Sequence, residues 1–519
     1  MLTLRALVAG YQLRSGEVID FVLFSREGSE VRGRAGTLRF AKNEGGCPVG
    51  KIVLEVPEEL KGLAAPLRKV VEEAREQVAR SRSGRVVEYE QFEGRLRACL
   101  GAVEAGVHAA TLAALDIDAA AVLIDGERYV RVGRHAATYR TQTGELALER
   151  TLYRRREGET AVDLVSLRAG VVGEGWLPGA ARQMAFLLQQ GTSREAEQTA
   201  RQMGRLPYSR SSFEDVGHAV GERYVERHVE IEQRLVEATP IPKEARSVSV
   251  ALDRVSVPME EPRPRPAGRA RKDAPKRPIA RVYHMAYCGT VTLHDSEGKA
   301  LSTIRYGTMP DGDAQTMCMG LSDDVMRMRR RRRDLRVMLL GDGAPENWNL
   351  LGAEFDDGAT FGVVSQLIDF WHLIEKLSAA AKVVHGAGAA VVVAGWKMSL
   401  LNRKAAASEI LDELLAAGHR DVRVGDGRPV HDAITYLENN GHRMNYAGAR
   451  RRGLPIGSGN VEATCKTLVG QRMKRCGARW KTRTGEHVIH LRALALSDRW
   501  DAAMNLTLRP HHAKVRVAA

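Results

Sequence analysis

Cysteine is scarce in this chain. Six residues, Cys47, Cys99, Cys288, Cys318, Cys465 and Cys476, are spread over 519 positions, and no two are spaced as CxxC or CxxxxC. That spacing excludes a zinc ribbon, a dithiol redox motif and a disulfide framework, and fits thiols kept reduced in a cytoplasm. Long hydrophobic runs are missing too. The longest, from Gly386 to Trp396 between His385 and Lys397, falls well short of the roughly 18–20 residues that span a bilayer. Arg5 and Arg14 interrupt the opening stretch where a signal peptide needs unbroken apolar sequence. The expectation is a soluble cytoplasmic protein with no membrane partner. Acid is in deficit, with 64 Asp+Glu against 78 Lys+Arg, a net charge of +14 and a pI near 9.6. Such a field favours polyanions, nucleic acid above all. The 44% hydrophobic fraction is too high for a wholly disordered chain, and the length predicts two to four domains.

Residues 1–60 alternate apolar and polar positions between glycines, as in Val18–Phe24 and Lys51–Val56, which predicts a β-rich segment. Residues 61–170 read as an α+β region: amphipathic spacing in 67–80, then strands near Ala121–Ile124 and Leu146–Tyr153. Residues 171–245 read as helical. Pro178 opens a first helix that breaks at Gly191; Thr192 and Ser193 cap a second; the Ser209–Ser212 cluster caps a third carrying Phe213, Val216 and Val220. Three short helices suit a helix-turn-helix, whose last helix would present Arg210, Ser211 and Ser212 to base edges; a plain helical bundle is the alternative. Residues 262–281 hold five prolines and eight Lys/Arg against one acid, Asp273. They read as an extended loop, either a surface insertion or a basic arm along phosphates. The run Arg327–Arg333 closes another expected helix, and its packed like charges, Arg329, Arg330 and Arg331 among them, favour a bound polyanion, with a merely solvated helix end as the alternative.

From residue 246 to 505 strand and helix signals alternate. Ser247–Val257, Arg281–His294 and Leu301–Gly307 predict three strands, Asp313–Arg333 a helix, Leu335–Leu340 a fourth strand and Phe361–Ile368 a fifth. This is the order of a ribonuclease-H-like α/β domain with a mixed sheet, and the patterns of about 374–445 predict a helical insertion in it. Asp253 lies in the first strand, Asp342 ends the fourth, 89 positions on, and Glu462 begins the helix 460–474. In such a domain the three converge at one end of the sheet. Carboxylates suit Mg²⁺, with Mn²⁺ as substitute, because these ions take oxygen ligands while keeping positions for phosphate and water. Asp369 and His372 stand one helical turn apart at the start of the insertion. His372 either orients phosphate or an acid, or packs beside Trp371. Past Glu462, the stretch 465–483 carries Lys466, Arg472, Lys474, Arg475, Arg479, Lys481 and Arg483 with no acid, cations suited to holding a DNA strand. Trp480 either stacks on a base or packs on the sheet. Residues 506–519 read as a basic tail.

Three stretches, Tyr436-Leu-Glu-Asn-Asn-Gly-His-Arg-Met-Asn-Tyr446, Gly453-Leu-Pro-Ile-Gly-Ser-Gly-Asn-Val-Glu-Ala463 and Gln471-Arg-Met-Lys-Arg-Cys-Gly-Ala-Arg-Trp480, resemble the C-terminal signature of bacterial ISKra-type insertion-sequence transposases. Leu340-Gly-Asp-Gly-Ala344 and Asp369-Phe-Trp-His372 match the same family. The resemblance implies a DDE transposase with Asp253, Asp342 and Glu462 as its catalytic, metal-binding acids. It also implies double-stranded DNA as partner, both element terminal repeats and target, and a homo-oligomer on that DNA near the nucleoid. Strand cleavage and transfer to target DNA are the expected activity. A regulatory DNA-binding relative without catalysis and a ribonuclease-H-like nuclease are the rivals.

Overall fold

The computed structural model describes residues 19–24, 31–33, 36–42, 48–54, 57–84, 86–261, 282–509 and 514–518. The predicted basic loop 262–281 lies outside the described residues. The chain divides into two units, one of residues 1–180, 200–208 and 510–519, the other of residues 181–199 and 209–509.

In the first unit, strands β1 (Ile19–Phe24), β2 (Val31–Gly33), β3 (Gly36–Lys42) and β4 (Pro48–Leu54) form an antiparallel sheet in the order β1-β4-β3-β2. Helices α1 (Ala64–Arg82) and α2 (Tyr89–Ala113) pack on each other. A second sheet contains β5 (Ala121–Ile124), β6 (Glu127–Arg140), β7 (Glu145–Arg154) and β8 (Val162–Asp163), followed by α3 (Leu164–Ala169). The long β6 was not anticipated, because its polar sequence lacks a run of apolar positions. Asp125 and Gly126, both at positive φ, form the tight turn that folds β5 back on it.

The unit boundary falls inside α4 (Pro178–Gln190) and again inside α5 (Ser193–Met203), so residues 171–245 are not a domain of their own. Thr192 caps α5 as expected: its hydroxyl accepts from Glu195 N at 3.3 Å, and the Glu195 carboxylate accepts from Thr192 N at 2.8 Å. Helix α6 (Arg210–Val225) is capped by Ser209, and α7 (His228–Ala238) follows.

The second unit is built on β9 (Ser247–Met259), β10 (Val282–His294), β11 (Ala300–Thr308), α8 (Ala314–Arg331), β12 (Arg336–Gly341), α9 (Pro345–Phe355), α10 (Gly358–Phe361) and β13 (Val364–Ile368). The sheet order is β11-β10-β9-β12-β13, with β9 to β11 antiparallel and β12 and β13 parallel to β9. The near-continuous apolar sequence of β12, VMLLG, is buried throughout, as a central parallel strand requires. The predicted insertion contains α11 (Phe370–His385), α12 (Ala389–Asn402), α13 (Ala406–Ala417) and α14 (Pro429–Asn440). Residues 370–402 are long and apolar enough to cross a membrane by composition. Gly386, at φ 51, ends α11 there, and α11 buries Phe370, Leu373, Ile374, Leu377, Ala380 and Ala381 in the core. Helices α15 (Tyr446–Arg451), α16 (Gly459–Thr464), a π-helical stretch (Cys465–Gly470), α17 (Gln471–Met473), α18 (Thr482–Leu496) and α19 (Trp500–Thr507) complete the unit. The C-terminal residues are not a free tail: β14 (Val515–Val517) adds to the edge of β5 in the first unit.

Candidate active site

Strand register brings acids to one level. β12 pairs with β9 at a constant offset of 89, Arg336 opposite Ser247 through Leu340 opposite Ala251. Continued by two residues, that offset sets Asp342 beside Asp253. β13 pairs with β12 at an offset of 27, ending with Gly341 opposite Ile368, so the next pair is Asp342 and Asp369. Three aspartates therefore stand abreast on three neighbouring parallel strands, Asp253 within β9 and Asp342 and Asp369 just past the last residues of β12 and β13.

Each has a different environment. Asp342 is half-buried; its Oδ1 accepts from Ala344 N at 3.1 Å and from the Asn347 amide at 3.3 Å. The same amide donates to Leu252 O at 3.3 Å, tying the start of α9 to β9 one residue before Asp253. Gly343 is obligatory beside it, since a Cβ there would stand 2.4 Å from the Tyr436 ring. That ring comes from α14, and its hydroxyl is held protonated by burial first, and then by the Asp342 and Asp369 charges. Asp253 accepts from Arg254 N at 2.6 Å through Oδ1 and from the Cys465 thiol at 3.5 Å through Oδ2. Cys465 lies three residues beyond Glu462, so this contact brings the helix of Glu462 onto β9. The thiol is kept protonated by its hydrogen bond to Cys288, by burial and by the Asp253 charge.

Asp369 is fully buried and saturated. Its Oδ1 caps α11 by accepting from His372 N at 2.8 Å. Its Oδ2 accepts from both Ser458 N and Ser458 Oγ, the latter at 3.0 Å. Phe370 N donates to Ile456 O at 3.0 Å, so the loop preceding Glu462 is stitched to the end of β13. His372, one turn into α11, reaches Glu462, with Nε2 3.1 Å from Oε1. Ligand atoms of Asp369, His372 and Glu462 all lie within 4.8 Å of one another. Asp369, closed off from solvent by three donors, serves this group as a clamp. Asp253, Asp342 and Glu462 are solvent-accessible.

The predicted cationic surface divides. Lys466, Lys474 and Arg479 are exposed and have no ion pair among the described residues. Arg475 pairs with Glu195. Arg472 is not available to DNA: it is 5% exposed and donates through Nε and Nη2 to Leu188 O at the C-terminal end of α4, at 3.2 and 3.0 Å. Burial, then the neighbouring Arg492 and Arg475 charges, lower its pKa to about 10. Trp480 packs rather than stacking on a base: Nε1 donates to Met473 O at 3.0 Å, the Arg472 guanidinium lies 5.0 Å from its ring centroid, and its backbone joins Pro258 and Glu260. In the arginine run, Arg331 donates to the carbonyls of Val236, Glu237 and Thr239, closing the C-terminus of α7. Arg329 is half-buried and donates to Arg333 O, whereas Arg330 is exposed and donates to Met326 Sδ at 3.5 Å, with no ion pair among the described residues.

Helix α6 carries the residues expected to face base edges. It buries Phe213, Val216, Gly217, Val220, Gly221 and Tyr224 and packs on α18; at Gly221 a Cβ would stand 2.5 Å from His487 Cβ. Its outer face carries exposed Glu214, Asp215 and Glu226, which repel phosphates. Arg210 and Ser211 are exposed and Ser212 half-buried, and the serines bond to one another at the cap. This is not the free, basic face of a groove-reading helix. Sequence reasoning also missed Ser458, Asn347, Tyr436 and Cys288. Ser458 and Tyr436 had a signal, since both lie in the signature stretches 453–463 and 436–446.

No protein-family model matches the chain, and no curated protein matches it. Among solved structures, it is similar to the Drosophila P element transposase strand transfer complex, at 11% identity over 63% of this chain and 81% of that one, with a TM-score of 0.22. It is also similar to the Mos1 transposase paired-end complex with left transposon end, at 12% identity over 53% and 77%, with a TM-score of 0.15. At these TM-scores the superpositions assign neither fold nor activity to the chain.

Proposed function

We propose that this chain is a DNA transposase of the insertion-sequence type, whose ribonuclease-H-like sheet carries Asp253, Asp342 and Glu462 as a metal-holding triad. The observation that carries the reading is the common level of Asp253 and Asp342 on adjacent parallel strands, with the helix of Glu462 joined to β9 through Cys465. The donor set fits a hard divalent cation: three accessible carboxylates, no thiolate, and Cys465 held as a neutral thiol. Asp253, Asp342 and Glu462 would hold Mg²⁺ or Mn²⁺, which when bound supplies Lewis-acid stabilisation of the attacking and leaving oxygens of a phosphodiester.

The chain's own residues do the rest. Asn347 holds Asp342 against β9, Asp369 and Ser458 fix the loop before Glu462, and His372 orients the Glu462 carboxylate. Lys466, Lys474 and Arg479 offer charge for DNA phosphates without an acid to neutralise them. The test is strand cleavage on DNA bearing the element's own ends. Asp253→Asn, Asp342→Asn and Glu462→Gln should each lose at least about a hundredfold in rate with Mg²⁺ or Mn²⁺, while DNA binding in Ca²⁺ stays within about threefold. Stoichiometric zinc in the purified protein would contradict the Mg²⁺ or Mn²⁺ assignment, and any one variant retaining a tenth of the wild-type rate would remove its residue from the triad.

A further inference from the structure

Beside the acids stands a residue that the chemistry above leaves unused. Trp371 lies in the first turn of α11, between Phe370 and His372, yet it is 59% exposed. The other tryptophan close to the acids, Trp348, is buried and donates to Asp342 O at 2.6 Å. Leaving an indole largely in water forgoes favourable burial, and α11 already buries its other face in the core. The ring is held in place: Phe370 packs against it edge-on at 5.3 Å, and its Cδ1 and Nε1 stand 3.5 and 3.7 Å from where a Cβ on Gly457 would be. Gly457 immediately precedes Ser458, so the indole borders the loop that fixes Glu462. From α12, the Lys397 ammonium lies 5.6 Å from the ring centroid.

An exposed indole with the half-buried Lys397 ammonium over its ring matches a planar ligand carrying negative charge, which describes a nucleotide. We propose that Trp371 and Lys397 form a nucleotide-binding step at the edge of the acid site: an unpaired base next to the cleaved position stacks on the indole, and Lys397 takes its phosphate. Duplex DNA keeps its base faces covered by neighbouring pairs, so the step selects strands that are open at that point. The inference rests on the reading of DNA as the polyanion at this site, but its test does not depend on cleavage.

Full-length protein is titrated in Ca²⁺ with a fluorescein-labelled single-stranded oligonucleotide and with the corresponding duplex, and binding is read by anisotropy. Trp371→Ala should weaken single-strand binding by between about fivefold and a hundredfold, as expected for one stacked base, and duplex binding by less than about threefold. Trp371→Phe, which keeps a stacking face, should recover most of the loss, and Lys397→Gln should flatten the salt dependence on single strands by about 0.7 counterions. Unchanged single-strand binding in Trp371→Ala, equal loss on both DNAs, or no single-strand binding by the wild type overturns the proposal. A chain that grips single strands through Trp371 but cleaves no DNA keeps the nucleotide step and sinks the strand-cleavage reading.

Discussion

Replacing Asp369 by alanine separates a clamp from a ligand. The wild-type carboxylate accepts three hydrogen bonds at a fully buried position. Losing the cap of α11 costs about 1 kcal/mol, and leaving Ser458 N and Oγ without an acceptor adds about 1–3 kcal/mol. The sum, about 2–4 kcal/mol, lowers the melting temperature by roughly 3–6 °C for a unit of this size. Glu462→Gln removes charge from a half-exposed carboxylate with one partner, His372, and should move melting by no more than about 1 °C. The two variants therefore lose cleavage for different reasons. Differential scanning calorimetry gives the stability term, and a Mg²⁺ titration of residual cleavage gives the other. In Asp369→Ala the Mg²⁺ requirement should rise together with the fall in melting temperature, because the ligands are intact but poorly held. Unchanged melting together with a tenfold or greater rise in the Mg²⁺ requirement would make Asp369 a metal ligand and refute the clamp.

Arg331→Ala should destabilise the second unit by about 1–2 kcal/mol, since three carbonyls at the end of α7 lose their donor. It should leave the salt dependence of DNA binding in place, whereas neutralising exposed Lys466 and Lys474 together should flatten that dependence by nearly two counterions without changing melting. Asp324, buried beside Tyr306, has its pKa raised to about 8, by burial first and then by the Glu232 charge. The folded chain thus keeps a proton that the unfolded chain releases near 3.8. The contribution of this group to stability is complete below about pH 4 and falls as pH rises to about 8, by at most about 1.4 kcal/mol per pH unit. Asp324→Asn should flatten urea stability measured from pH 5 to 9, and equal slopes in wild type and variant would refute the assignment.

The elements of the second unit were legible because strands β9, β12 and β13 are apolar and close to regular in period, and because Asp313 and Ser209 cap helices α8 and α6 through local hydrogen bonds. The long polar β6 was not, since its faces are only half covered and its sequence shows no apolar alternation to count. Charge patterns misled for a related reason: density along the chain does not say which way a side chain points. Arg327 and Arg331 are four apart and share a helix face, and that face is turned toward α7, where Glu237 takes Arg327 and the terminal carbonyls take Arg331. Arg472 was likewise counted as surface charge, although the Leu468, Val469 and Met473 packing around it marks a buried side. The serine-rich start of α6 carries the expected cap. Ser209 and Ser212 spend their hydroxyls on the helix terminus, and Gly217 and Gly221 let the helix pack closely on its neighbours.

The acids illustrate what spacing alone contains. A separation of 89 residues between Asp253 and Asp342 means little until it equals the pairing offset of two parallel strands, and then it fixes both side chains at one height. The next offset, 27, adds Asp369 to that row, and three carboxylates abreast would repel one another if all faced the same solvent. The fold relieves this by giving them different environments. Asp369 is turned inward onto three donors, while Asp342 keeps Asn347 and a backbone amide on one oxygen only. Glu462 arrives from a separate helix, at a position that depends on the first of these choices, because the Asp369–Ser458 bonds hold the loop before it. A residue outside the expected triad thus governs where the triad's third member stands.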